Sequence, residues 1–122
     1  MAINVLVVDD LSFVKLVLKD ILEKAGFKVV GQAGDGEEAV KLYRETQPDV
    51  VLLDITMPRM DGITALRHMR RISTKAKIIM CSALGQQRLI IQAIRLGASD
   101  FIVKPFKPER VIASVKKALN ID

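Results

Sequence analysis

The segment VVLLDITMPRMDG, residues 50–62, combines the pattern of a buried strand with a carboxylate at its end. Val50 to Leu53 form a short continuous apolar run, which is typical of a strand covered on both faces of a parallel sheet. The run ends on Asp54, and a turn-forming sequence with Pro58 and Asp61-Gly62 follows. Because an isolated buried charge is costly, Asp54 is predicted to lie at the rim of the sheet or to have a partner there.

The alternation of a short apolar run with an amphipathic segment continues outward from this segment in both directions. Strands are predicted at residues 3–8, 28–32, 50–53, 77–80 and 101–103, and helices between Ser12 and Gly26 and at 36–45, 62–72, 86–96 and 108–119. Ser12 is predicted to cap the first helix, and Ile72 to face inward from the third. Five such units predict an α/β fold: a doubly wound five-stranded parallel sheet in a (βα)5 flavodoxin-like three-layer sandwich.

Composition indicates a single globular domain spanning residues 1–122. Apolar residues make up 50% of the chain and charged residues 27%, which is ordinary for such a domain. Apolar runs stay far below the ~18 residues of a membrane span, and the N-terminus lacks the basic lead-in of a signal peptide. The lone Cys81, predicted to be buried, fits a reducing compartment. The expected location is the cytoplasm, without membrane association.

Charge is distributed unevenly along the chain. Residues 1–58 hold 6 Lys+Arg against 10 Asp+Glu, a net −4, whereas residues 59–122 hold 13 against 4, a net +9. Only Phe101 and Phe106 offer aromatic faces in the basic half. This pattern favours an acidic protein partner or a solvated surface over direct nucleic-acid binding.

Polar side chains follow four of the predicted strands. Asp9-Asp10 come after the first strand, Asp54 after the third, Ser82 after the fourth and Lys104 after the fifth. Each residue alone is ordinary at a strand end, but the carboxyl ends of parallel strands meet at the edge of the sheet where ligands bind. Their joint placement therefore predicts one functional site.

The residue types in this predicted site suit phosphoryl chemistry. Clustered carboxylates repel one another unless one protonates or a cation binds, and few carboxylates with water suit Mg²⁺ better than Ca²⁺. Mg²⁺ commonly recruits phosphate oxygens, which Lys104 and Ser82 could also contact. A carboxylate beside these groups can accept a phosphoryl group. The only histidine, His68, falls inside the third helix and is predicted to be a surface residue.

Together these residues resemble the receiver domain of two-component response regulators. The resemblance rests on the Asp9-Asp10 pair, Asp54 followed by Met-Pro-x-Met-Asp-Gly, the Ser82-Ala83 pair and Lys104-Pro105. The segments CSALGQQ (81–87) and DFIVKPF (100–106) are similar to single-domain chemotaxis response regulators of the CheY type.

The resemblance implies roles for the site residues. Asp54 would accept a phosphoryl group from a phosphohistidine on a sensor histidine kinase. Asp10, Asp54 and the backbone carbonyl of Thr56 would bind Mg²⁺, which Mn²⁺ could replace, and Asp9 would act through water. Lys104 would contact the phosphoryl group, and its bond to Pro105 would be cis.

The resemblance also implies a switch and a binding surface. The Ser82 hydroxyl would move toward the phosphoryl group, and Phe101 would turn inward. The chain would act as a monomeric switch that promotes only its own phosphorylation and dephosphorylation, and is otherwise not an enzyme. Its partner would be an acidic or amphipathic segment, such as one from a flagellar motor-switch protein, on the fourth helix, fifth strand and fifth helix, with Ile91 as an outward apolar contact. The basic side chains of this surface are Arg88, Arg95, Lys107, Arg110, Lys116 and Lys117.

The sequence departs from the commonest receiver pattern at two switch positions. Ser82 stands where Thr is more frequent, and Phe101 stands where many chemotaxis regulators have Tyr. Phe101 therefore lacks a hydroxyl for partner binding. Thr56 and Leu84 occupy positions that commonly tune the attacking water during dephosphorylation, so the lifetime of the phosphorylated state stays open.

Three other functions are compatible with parts of the sequence. A phosphatase with an Asp nucleophile on the first strand would require an Asp-x-Asp pattern, whereas Asp9 and Asp10 are adjacent. A flavodoxin-like cofactor binder is disfavoured because the acidic loop DDLSF (9–13) would repel a flavin phosphate. A receiver domain from a larger DNA-binding or effector regulator remains an open alternative.

Overall fold

The structure, a computed structural model, describes residues 2–122 as five parallel strands alternating with five helices. Met1, the first residue of the predicted domain, lies outside the described residues. The strands are β1 (Asn4–Val8), β2 (Lys28–Ala33), β3 (Val50–Asp54), β4 (Ile78–Ser82) and β5 (Asp100–Val103). The helices are α1 (Ser12–Lys24), α2 (Gly36–Thr46), α3 (Gly62–Ile72), α4 (Gln87–Arg95) and α5 (Pro108–Ala118). The predicted fold class is confirmed.

The sheet has the order β2-β1-β3-β4-β5 and is covered on both faces. Successive residues of a strand point to opposite faces, so each apolar run supplies two cores. Val51 and Leu53 pack into a core closed by α2, α3 and α4, whereas Val50 and Leu52 pack into a core closed by α1 and α5. The continuous apolar runs of the central strands follow from this double coverage.

The strand order reverses between β1 and β3, and this reversal places the functional site. The two strands are direct neighbours, with Val8 opposite Leu53. The chain leaves β1 toward β2 on one side and leaves β3 toward β4 on the other. The loops beyond the carboxyl ends therefore diverge and leave a crevice at this point, where ligands bind in sheets of this kind.

Several helix ends follow the sequence signals, and two predictions were wrong. Asp61 caps α3 by accepting a hydrogen bond from the Thr64 N–H at 2.8 Å, and Pro108 begins α5. The predicted Ser12 cap is wrong, because α1 already begins at Ser12 and Leu11 precedes it without a side-chain cap. Ile72 is 38% exposed rather than inward, since it is the last residue of α3 and borders an open groove at the amino ends of the strands.

A polar cluster joins β5 to α5, with Asp100 and Ser114 buried and Arg110 exposed. The Ser114 hydroxyl donates a hydrogen bond to Asp100 at 2.8 Å, and Arg110 pairs with the same carboxylate at 3.3 Å. Arg110 also donates to the Phe101 carbonyl oxygen at 2.7 Å. Burial tends to raise the pKa of Asp100, but hydrogen bonds from Arg110, the Phe101 N–H and Ser114 outweigh burial and lower it.

Ser114→Ala is expected to lower the free energy of unfolding by about 1–2 kcal/mol at neutral pH, because Asp100 loses a buried donor. A carboxylate with a lowered pKa stabilises the fold above its ordinary pKa of 3.8, and this contribution disappears as pH falls through the folded-state value. Urea unfolding should therefore show the loss shrinking below about pH 4. Ser99→Ala is the control, since Ser99 makes no side-chain hydrogen bond within residues 2–122. An equal loss in acid and at neutral pH would assign the effect to packing.

Across the part of the chain that the structure describes, none of the helices has both the length and the apolar character needed to cross a bilayer.

Candidate functional site

The structure brings the predicted acidic residues and the lysine together. Asp9, Asp10 and Asp54 each place a carboxylate oxygen within 4.8 Å of the others. The Lys104 ammonium lies 2.8 Å from Asp9 and 3.3 Å from Asp54. Asp9 and Asp54 are buried, whereas Asp10 is exposed. These side chains come from the ends of three strands, so the predicted convergence at one edge of the sheet is confirmed.

Strand register explains why these side chains meet. Asp54 is the last residue of β3 and lies opposite Cys81 of β4. Lys104 directly follows β5, and its N–H donates to the Ser82 carbonyl oxygen at 2.8 Å, continuing the β4–β5 pairing by one residue. The bond between Lys104 and Pro105 is cis, as predicted.

A glycine packs directly behind the central carboxylate residue. The Gly62 N–H donates to the Ile55 carbonyl oxygen at 2.7 Å. A β-carbon on Gly62 would collide with the backbone carbonyl of Asp54 and lie 2.8 Å from the Cα of Ile55. The Asp-Gly turn noted in the sequence therefore permits a close backbone approach that fixes the end of β3.

Burial, repulsion between the carboxylates and attraction to Lys104 together set the pKa values of this cluster. Burial and then repulsion from Asp9 raise the pKa of Asp54 from 3.8 to about 6, although Lys104 opposes the rise. Burial tends to lower the pKa of Lys104, but its hydrogen bond to Asp9 and the charge of Asp54 outweigh burial and raise it. Asp54 therefore combines a high proton affinity with ionisation at neutral pH.

Ser82 ends β4 beside this cluster, whereas Phe101 lies on β5 three residues before Lys104. The Ser82 hydroxyl is fully buried, and nothing among residues 2–122 hydrogen-bonds to it. Phe101 is 36% exposed on β5 and lies opposite Met80 of β4. Cys81 is buried, as predicted, and burial raises the pKa of its thiol. An unpartnered buried hydroxyl is costly, so Ser82 is well placed to gain a partner at the strand end.

Gln86 is a residue that sequence reasoning missed at this site. Its side-chain amide donates to the Thr56 hydroxyl at 2.8 Å, and its side-chain oxygen accepts from the Ala83 N–H at 2.7 Å. It therefore joins the loop after β3 to the loop after β4. The sequence placed Gln86 only at the start of the fourth helix, because no local pattern indicates which loop a glutamine side chain will reach.

The carboxylate cluster fits a hard divalent cation. All three side chains offer oxygen, and their mutual spacing allows one ion to contact more than one of them. Asp10 is open to solvent, so a bound ion could keep part of its water shell. These donor atoms match Mg²⁺ and lack the sulfur or imidazole that zinc and copper prefer.

An apolar groove of about 690 Å³ lies beside the site, between α4 and β5. Ile91 lines this groove and is 52% exposed, so its predicted outward position is confirmed. Arg95 borders the same groove, and Arg110 of α5 donates a hydrogen bond to the carbonyl oxygen of Phe101, which lines it. The α4–β5 groove therefore presents an apolar floor beside basic side chains. The other apolar side chains that line it are Ala83, Leu84, Ile90, Ile94, Phe101 and Val103.

Residues 5–116 match the family model described as the response regulator receiver domain. Chemotaxis protein CheY of Bacillus subtilis strain 168 is 54% identical over 120 residues, which cover 98% of this chain and 100% of that protein. CheY of Thermotoga maritima is 54% identical over 114 residues, covering 93% of this chain and 95% of that protein.

Solved structures show the same relationship. A chain of the CheX–CheY–BeF3–Mg²⁺ complex from Borrelia burgdorferi is 43% identical, with a TM-score of 0.89, over 93% of this chain and 87% of that chain. The response regulator domain of Thermotoga maritima CheB is 39% identical, with a TM-score of 0.91, over 100% and 99%. The chain therefore belongs to the response regulator receiver domain family and is a CheY-like, phosphorylation-activated chemotaxis regulator.

Proposed function

We propose that Asp54 is the phosphoacceptor and that a phosphohistidine on a sensor histidine kinase supplies the phosphoryl group. The observation that carries this proposal is the convergence of Asp9, Asp10, Asp54 and Lys104 at the carboxyl edge of the sheet. Of the three carboxylates, Asp54 ends the central strand β3 and has Lys104 within 3.3 Å. Its carboxylate is therefore held at the carboxyl edge of the sheet, beside an ammonium group that can bind an oxygen of the incoming phosphoryl group.

The transfer requires an ionised Asp54. Its pKa of about 6 leaves the carboxylate mostly unprotonated at neutral pH. A carboxylate oxygen attacks phosphorus, the P–N bond of the phosphohistidine breaks, and its electron pair returns to the imidazole nitrogen. Lys104 then offsets charge on the phosphoryl oxygens, which is electrostatic stabilisation by a group already in place.

Asp10, Asp54 and the backbone carbonyl of Thr56 are the proposed ligands of Mg²⁺, which Mn²⁺ could replace. When bound, the ion would neutralise carboxylate charge and phosphoryl oxygen charge. Both oxygens of Asp9 already accept hydrogen bonds, one from the Leu11 N–H at 2.9 Å and one from Lys104 at 2.8 Å. These bonds favour a contact between Asp9 and the ion through water.

Ser82 and Phe101 form the proposed switch. A phosphoryl group on Asp54 would offer acceptor oxygens near the buried Ser82 hydroxyl, which has no partner within the described chain. Movement of Ser82 toward them would vacate space behind it, and Phe101 would turn inward from its partly exposed position. The phosphoryl group thereby biases two arrangements of the loop after β4 and of α4.

The proposed partner is an acidic or amphipathic segment, such as one from a flagellar motor-switch protein. The α4–β5 groove offers apolar area for one face of such a segment, and basic side chains beside it suit acidic residues on the other. We further propose that residues 1–122 form one receiver domain that works as a cytoplasmic monomer, without direct contact to nucleic acid or membrane. Its only chemistry would be its own phosphorylation and dephosphorylation.

Intact mass spectrometry with acetyl phosphate tests the assignment of the phosphoacceptor. With Mg²⁺ present, the protein should gain the mass of one phosphoryl group, and peptide mapping should locate the adduct on Asp54. Removing divalent ions with EDTA should prevent the gain, because the carboxylate charge is then uncompensated. No adduct, or an adduct on Asp9 or Asp10, would contradict the assignment.

A further inference from the structure

The side chain of Gln86 connects the two loops that border Asp54. Its amide group donates to the Thr56 hydroxyl, two residues beyond Asp54, and its oxygen accepts from the N–H of Ala83, the residue after Ser82. We propose that Gln86 is a positioning residue that holds the β4–α4 loop in its unphosphorylated arrangement. This inference rests on the proposed function, in which Asp54 is phosphorylated and Ser82 moves.

The direction of the Gln86 side chain is unusual for its place in the chain. Gln86 immediately precedes α4, where a side chain commonly caps the first N–H groups of the helix, yet it makes no capping bond. It turns back instead to Ala83, three residues earlier. The intervening Gly85 has a φ of +90°, a conformation that favours glycine and lets the loop fold back.

The Thr56 end of this bridge is anchored. The preceding residue, Ile55, is 1% exposed. Its N–H donates to the Cys81 carbonyl oxygen at 3.1 Å, and its carbonyl oxygen accepts from the Gly62 N–H at 2.7 Å. Thr56 therefore stands on backbone held from two sides by the sheet and by the start of α3.

The Ala83 end of the bridge is attached to the part of the site that moves. Ala83 is exposed and adjoins Ser82, whose hydroxyl has no partner among the described residues. Movement of Ser82 toward a phosphoryl group would carry the Ala83 N–H with it while Thr56 stays in place. The two hydrogen bonds of Gln86 then stabilise only the unphosphorylated arrangement of the loop. Because they must break when a phosphoryl group binds, they weaken its binding by the free energy that they contribute to that arrangement.

Binding of beryllofluoride, a phosphoryl mimic, measures this opposition. In titration calorimetry with saturating Mg²⁺, Gln86→Met should bind beryllofluoride about fivefold more tightly than the unchanged protein, the equivalent of one net hydrogen bond. Thr56→Val removes only the Thr56 bond and should give a gain of about two- to threefold. The double variant should match Gln86→Met, because both changes remove the same contact. Affinity for Mg²⁺ without beryllofluoride should stay unchanged in Gln86→Met.

The neighbouring glutamine provides a matched control. Gln87 is exposed on α4 and makes no side-chain hydrogen bond within the described part of the chain, so Gln87→Met should leave beryllofluoride affinity unchanged. An equal gain in Gln87→Met, or no gain in a folded Gln86→Met, would overturn the inference. If Gln86→Met does not fold, the beryllofluoride affinity of Thr56→Val tests the inference instead. An affinity equal to that of the unchanged protein would then overturn the inference. If the unchanged protein fails to bind beryllofluoride, the proposed function fails as well.

Discussion

Asp54→Asn is expected to make the metal-free protein about 2 kcal/mol more stable at neutral pH, although it should abolish phosphorylation. Burial and repulsion from Asp9 raise the pKa of Asp54 to about 6 from an ordinary 3.8. The folded state therefore binds a proton more tightly than the unfolded state. As pH rises between these two values, the carboxyl group ionises in the unfolded state but stays protonated in the folded state, so the stability of the protein falls. Asparagine has nearly the same shape as aspartate but carries no charge, so the variant avoids this loss of stability.

Urea unfolding in EDTA at several pH values measures this effect. The advantage of Asp54→Asn should be near zero at about pH 4, grow as pH rises, and level off above about pH 6 to 7. Added Mg²⁺ should reduce the difference in free energy of unfolding between Asp54→Asn and the unchanged protein, because the ion should bind and stabilise the protein that retains Asp54. Asp20→Asn serves as the control, since Asp20 is 62% exposed beside Lys24 and should change stability little. An Asp54→Asn variant that is less stable than the unchanged protein at neutral pH would show that its charge is fully compensated.

Gly62→Ala should lower the free energy of unfolding by about 3 kcal/mol or more and should strongly reduce labelling by acetyl phosphate. The added methyl group would collide with the backbone carbonyl of Asp54 and lie 2.8 Å from the Cα of Ile55. Neither backbone atom can move aside as a flexible side chain could. The end of β3 must therefore shift, and Asp54 would lose its alignment with Lys104.

Gly34→Ala is the matched control for this change. The nearest atom to its added methyl group would be the flexible Lys15 ammonium at 3.5 Å, an ordinary contact distance. Thermal or urea unfolding should show a small change for Gly34→Ala and a large one for Gly62→Ala. Labelling should stay near that of the unchanged protein in Gly34→Ala. Similar stability and labelling in the two variants would contradict the close approach of Gly62 to β3.

Acidic and basic side chains at the strand ends could be predicted to meet because the underlying signal is local. A continuous apolar run such as Val50–Leu53 indicates a strand buried on both faces, and five such runs alternating with helices allow few topologies. Once the sheet is parallel, residues directly after the strands share one edge. Asp9, Asp54 and Lys104 therefore came together as predicted, although their roles in phosphoryl transfer remain predictions.

Side-chain partners, by contrast, depended on packing between segments distant in sequence. The pairing of Lys104 with Asp9, the bridge from Gln86 to Thr56 and the close approach of Gly62 to Asp54 have no local signature. The wrong predictions for Ser12 and Ile72 have the same cause, because helix starts and ends depend on where the neighbouring loops run. Periodic burial is encoded within a few residues, so the amino-acid order sufficed for the strands, the helices and the edge that carries the site. Distances of 3 Å between loops arise only when the whole sheet is assembled, and they determine which of these side chains touch.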